Sequence, residues 1–133
     1  MPNHFHFFIQ IDENAHFEKG IKNFFISYSK SINKRYNRVG SLFQGRYKVS
    51  EITSNDYYTS IITYIHQNPV AAKLSKNMED YKYSSYSAYL SEKETGLNKQ
   101  EVLDWFGGLD TFINHHKIMM DEQEIIKHLK LQE

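Results

Sequence analysis

Tyr64-Ile65-His66-Gln67-Asn68-Pro69-Val70 closes the segment around which the rest of the chain is arranged. Tyr57, Ile61, Tyr64, Ile65 and Asn68 recur at helical spacing, which predicts an amphipathic helix with Tyr64 and Asn68 on one face. Thr53 or Ser54 can cap its start, and Asp56 suits its first turn. Pro69 disfavours an α conformation at Asn68, so the helix is expected to end there or bend. Two readings of Tyr64 follow from the residues alone. It is a packed tyrosine whose hydroxyl is satisfied at an edge of the core, or a nucleophile one turn from an amide that can ligate a metal.

Moving outward, His4-Phe5-His6 begins a stretch, residues 4 to 11, with His4, His6 and Phe8 alternating against Phe5, Phe7 and Ile9, which predicts a strand with both imidazoles on one side. After a turn at Asp12-Glu13-Asn14, the positions Phe17, Ile21, Phe24, Phe25, Tyr28 and Ile32 carry the helix period to about Arg38, with Gly40 to close it, and their stripe is expected to be a core face. Leu42 to Lys48 lacks that period and contains Gly45, so a loop is expected to enter a second strand at about Arg46 to Ile52. In that strand Arg46 and Lys48 share one face, with Tyr47 and Val49 on the other.

The second half continues with a helical turn to Leu74 and an aromatic segment, Tyr81, Tyr83, Tyr86 and Tyr89. Beyond Ser91 a charged linker leads to Asn98 and Glu101, spaced as a capping box for a helix to Trp105. Gly107-Gly108 breaks that helix, and short helices are expected near Leu109 to Lys117 and Asp121 to Leu131. His115 and His116, adjacent and on different helical faces, read as exposed polar residues.

At 133 residues, 40% hydrophobic and 24% charged, the chain suits one globular domain with a usable core. Having no cysteine, it has neither disulfides nor thiolate metal sites, and no signal-like segment or membrane span is expected, so its setting is expected to be cytoplasmic. The net charge of zero hides an asymmetry: residues 1–50 hold eight Lys/Arg against three Asp/Glu, and residues 91–133 hold five against nine. The basic end is the one with the histidine pair, and it fits either a nucleic-acid partner or ordinary solvated faces.

Four motifs stand in a fixed order: Met1-Pro2-Asn3-His4-Phe5-His6, then Leu42-Phe43-Gln44-Gly45-Arg46-Tyr47-Lys48, then Tyr64 to Val70, then Glu79-Asp80-Tyr81 with Ser84-Ser85-Tyr86. In this order they resemble the single-tyrosine HUH transposases of the REP-associated kind, from residue 1 to about Leu90. Two departures are visible, since Lys73 stands where the family more often has Gly, and Lys82-Tyr83 where it often has Pro-Trp. Members usually carry a strand, a helix and a second strand ahead of the histidine stretch, and the resemblance implies that these are lacking here.

The resemblance implies an α+β fold, an incomplete ferredoxin-like core of strand-helix-strand-helix in residues 1–90, followed by a helical extension in residues 91–133. It implies Tyr64 as catalytic nucleophile, His4, His6 and Asn68 as ligands of a divalent metal, Mg or Mn, and single-stranded or hairpin DNA as substrate. Cleavage leaves a 5′-phosphotyrosine and a free 3′-hydroxyl. Arg35, Arg38, Arg46 and Lys48 are the expected DNA-binding residues, and a homodimer is the expected assembly, because a gap in such a sheet would leave polar backbone groups unpaired. A binding module without turnover, and a structural fragment that folds with a partner, are the alternatives to an enzyme. The chain is not expected to engage a membrane.

Overall fold

The structure is a computed structural model that describes residues 1–13 and 15–130. Among the described residues the regular elements are six helices: α1 Phe17–Arg35, α2 Asn55–Ala71, α3 Tyr86–Leu90, α4 Lys99–Phe106, α5 Leu109–His115 and α6 Glu122–Lys130. The chain divides into two compact units, one made of Met1–Phe7 with the chain from Ser50 onward, the other of Phe8–Val49.

No strand forms among the described residues, which corrects the expected α+β, ferredoxin-like core of strand-helix-strand-helix. Residues 4–11 and 46–52 are irregular instead. The physical reason lies in what alternation encodes. It sorts side chains onto two faces, but a strand has no hydrogen bonds of its own and exists only where a second strand supplies the ladder. Gly45 at φ +90 and a Ser41 hydroxyl that donates to the Phe43 carbonyl at 2.7 Å shape a loop ahead of the second of these segments.

The helices follow the period. In α1 the stripe continues to Arg35, Asn37 enters the left-handed region at φ +53, and Gly40 follows at φ +90. The stripe itself is not a core face, because α1 holds no buried residue. Within that unit Phe25 meets Phe43 at 5.2 Å and Tyr47 at 5.5 Å between ring centroids. The turn ahead of α1 is closed by the Ala15 amide on the Asp12 carbonyl, while Asn14 lies outside the described residues.

α2 does not end at Asn68; it carries Pro69 inside it and stops at Ala71. Proline removes one amide from the ladder, and here only the last helical turn remains beyond it. The stop is a Schellman arrangement, with Leu74 N–H on the Pro69 carbonyl at 2.8 Å and Lys73 N–H on the Val70 carbonyl at 2.9 Å. It forces Lys73 to φ +58, which explains why glycine suits this position.

The core belongs to the unit that contains α2. Ile61 and Ile62 of α2, Tyr86 and Tyr89 of α3, Val102 and Phe106 of α4, Phe112 of α5 and Ile125 of α6 are buried, and α2 packs on α4 and α6. Tyr58 stacks at a tilt on Trp105 at 4.8 Å, joining α2 to α4. Gly107 and Gly108, at φ +84 and +111, make the break between α4 and α5 as expected. α6 starts one residue after Asp121, and the expected end at Leu131 lies outside the described residues. No helix of the described residues is long and apolar enough to cross a membrane.

Candidate functional site

Tyr64 sits just past the middle of α2, on a half-buried face. Its ring lies 6.0 Å from that of His6, and His6 lies 5.2 Å from His4, both pairs edge to face. The hydroxyl of Tyr64 donates to Glu122 Oε1 of α6 at 3.3 Å. Asn68, one turn on, is close enough for its amide to favour the phenolate, yet its Nδ2 is buried and makes no hydrogen bond of its own. His4 is held by its neighbour, with Nδ1 2.7 Å from Asn3 Oδ1.

Two titratable groups are displaced here. Burial, opposed by the Asn68 amide and reinforced by the Glu122 carboxylate, pushes the Tyr64 phenol above its usual 10.0. Burial, the neighbouring His4 and the N-terminal ammonium push His6 below 6.5, with Glu122 opposing. The group is therefore a neutral imidazole beside a protonated phenol at neutral pH, and a neutral imidazole is the form that ligates metals.

The next turn of α2 explains how this face is held. Gln67 is buried and donates through Nε2 to the carbonyls of His116, at 3.0 Å, and Ile118, at 2.7 Å, while its Oε1 accepts the Met120 amide at 2.9 Å. His66 lies among Tyr86, Tyr89 and Phe112, with Nδ1 2.9 Å from His116 Nε2 and Nε2 2.7 Å from Ser85 Oγ. Because the Phe112 carbonyl 2.8 Å from His116 Nδ1 can only accept, His116 carries its proton on Nδ1 and accepts at Nε2. His66 then donates from Nδ1, and Ser85 donates to His66 Nε2. With both rings neutral every member of the run is satisfied. Burial is what disfavours the charged form, and it lowers His66 to about 3 and His116 to about 4.

Residues 1–68 match the model of a protein family described as transposase, IS200-like. The chain belongs to the IS200-like transposase family. No curated protein and no solved structure matches it. The match ends on Asn68, so it contains His4, His6, Tyr64 and Asn68, whereas Glu122, Ser85 and His116 come from the part beyond it.

For an IS200-like transposase the donor set bears directly on a metal. Among the described residues no three His, Asp or Glu side chains gather to hold one. His4 and His6 do lie beside each other, 5.2 Å between ring centroids, and two imidazoles with a carboxamide oxygen are a donor set of the kind that suits a divalent cation tolerant of nitrogen. The expected DNA-binding residues Arg35, Arg38, Arg46 and Lys48 are all exposed in the Phe8–Val49 unit. Arg38 donates to Asn33 Oδ1 at 3.2 Å, and Arg35 lies 5.7 Å over the Tyr36 ring.

Sequence reasoning missed three features of this transposase. His116 is buried, 2% exposed, rather than an exposed polar residue, because Phe112 and His66 enclose it. His115, half-buried, lies 3.0 Å from the Thr63 hydroxyl. Glu122 had no signal at all, since its partner is 58 positions away.

Proposed function

We propose that this IS200-like transposase is of the REP-associated single-tyrosine HUH type and cuts and rejoins single-stranded or hairpin DNA through a covalent 5′-phosphotyrosine on Tyr64. The observation that carries this reading is the placement of His6 against Tyr64, with His4 beside it, from opposite ends of the family match. His4, His6 and Asn68 would hold Mg or Mn, which when bound supplies positive charge to the scissile phosphate. The chain's own part is to present the phenol from the rigid α2, whose inward side Gln67 and His66 fasten to the following helices. A phosphotyrosine conserves the energy of the broken bond, so rejoining needs no further source.

Arg35, Arg38, Arg46 and Lys48 are the cations that contact DNA phosphates in this reading, so binding weakens steeply with salt. A second copy is the partner assigned to apolar side chains such as Ile9, Ile11 and Val49, which stay 46–52% exposed. A strictly monomeric species in sedimentation at low micromolar concentration would remove the dimer from the proposal. The cleavage itself is tested by denaturing electrophoresis of the protein incubated with labelled hairpin and single-stranded oligonucleotides and Mg or Mn. A protein–DNA adduct is expected, and it should vanish in Tyr64→Phe and in the His4→Ala/His6→Ala double variant. An adduct that persists in Tyr64→Phe refutes the assignment of the nucleophile.

A further inference from the structure

The contact between Tyr64 and Glu122 joins the family core to a helix outside the family match, and its surroundings are built to hold it. Gln67, one turn from Tyr64, fastens the chain at His116, Ile118 and Met120. Asp121 then starts α6 by accepting the amides of Gln123 at 2.8 Å and Glu124 at 3.4 Å, and its carbonyl accepts that of Ile125 at 3.1 Å. Ile125, buried in the core, anchors the first turn. Glu122 is thereby fixed at the first position of α6 with its carboxylate on the phenol.

Building on the assignment of Tyr64 as nucleophile, we propose that Glu122 is a catalytic residue, the group that takes the phenolic proton as Tyr64 attacks DNA and returns it when the strand is rejoined. In cleavage the Tyr64 Oη–P bond forms while the P–O3′ bond breaks, its electron pair leaving on O3′, which takes a proton from solvent. The phenolic proton passes to Glu122. In rejoining a 3′-hydroxyl attacks phosphorus, gives its proton to solvent, and the proton on Glu122 returns to the departing tyrosyl oxygen.

The geometry favours this step over transfer of the proton to solvent. The Tyr64 hydroxyl already donates to Glu122 Oε1 at 3.3 Å, so the acceptor is in contact when the new bond forms. Glu122 is exposed on its other side, so a protonated carboxyl there meets water rather than an apolar wall. Reversal also needs an acid, and one carboxyl serves both directions.

The test is single-turnover adduct formation by the full chain on a labelled oligonucleotide, with Tyr64→Phe, Glu122→Gln and Glu122→Ala, and with formate added to the last. Glu122→Gln keeps an oxygen on the phenol but takes no proton, and should slow the adduct about 100-fold or more with DNA affinity unchanged. Its rate should also rise with pH where that of the unsubstituted protein levels off. Glu122→Ala should be equally slow and recover at least tenfold in formate, a recovery that a merely structural carboxylate would not show. Thermal melts of both variants should match the parent, since the side chain is exposed. A Glu122→Gln rate equal to or above that of the parent overturns the proposal, the faster rate marking a carboxylate that holds the nucleophile back. Loss without recovery in formate overturns it as well. If Tyr64→Phe abolishes the adduct and Glu122→Gln does not, only the role of Glu122 falls; if Tyr64→Phe still forms adduct, or the parent forms none, the underlying assignment falls with it.

Discussion

α1 and α2 are both long amphipathic helices, and they end in opposite conditions. α2 buries Ile61, Ile62, Thr63, His66, Gln67 and Pro69, whereas α1 buries nothing. Both have the helical period, so both form. What α2 has in its own unit, and α1 does not, is a set of helices arriving on several sides: α4 through Tyr58 and Trp105, α6 through Ile125, and α3 and α5 around His66. Within the Phe8–Val49 unit the α1 stripe meets a single loop, at Phe43 and Tyr47. Periodicity chooses the face, and the number of elements that converge on it decides whether the face becomes a core.

The sharpest probe of that contrast is truncation in the core. Phe112, 0% exposed, lies within 6.0 Å, ring to ring, of His66, Tyr86, Tyr89, Phe106 and His116, so Phe112→Ala should destabilise by about 3–5 kcal/mol in urea unfolding. A loss under about 1 kcal/mol would mean that this cluster is not the core.

Acid should reach the same cluster next. Unfolded imidazoles take up protons near 6.5, while in the folded protein His116 holds out to about 4 and His66 to about 3. Stability is then complete above pH 6.5 and is lost as pH falls through 6.5 toward 4, at up to about 1.4 kcal/mol per pH unit for each proton. Melts between pH 8 and pH 4 check this, and His66→Phe should flatten the profile. A curve that is flat from pH 6.5 to 4.5 would show that the two rings titrate freely.

Smaller effects bracket the comparison. Lys73→Gly, at φ +58 after α2, should stabilise by about 1 kcal/mol because the left-handed conformation costs a side chain and not a glycine. A destabilised variant would show that Lys73 makes a contact worth more than its strain. Smallest is Phe24→Ala on α1, a position 48% exposed, expected within about 1 kcal/mol of the parent. A loss as large as that of Phe112→Ala would erase the difference between the two helices.

The sequence alone determined what depends on neighbours in the chain. The period placed α1, α2 and the short later helices, Gly107-Gly108 marked the break between α4 and α5, and four-residue spacing put Tyr64 and Asn68 on one face, because helical hydrogen bonds and side-chain directions are set within a few residues. Alternation at His4–Ile11 and Arg46–Ile52 could not by itself make strands, since the ladder is contributed by another segment, and none forms among the described residues. Tertiary structure alone decided that His66 and His116 share a proton-poor, buried run and that Glu122 meets Tyr64. These partners stand 50 and 58 positions apart, and only the burial of Phe112 and Ile125, which brings α5 and α6 onto α2, puts them within hydrogen-bonding distance.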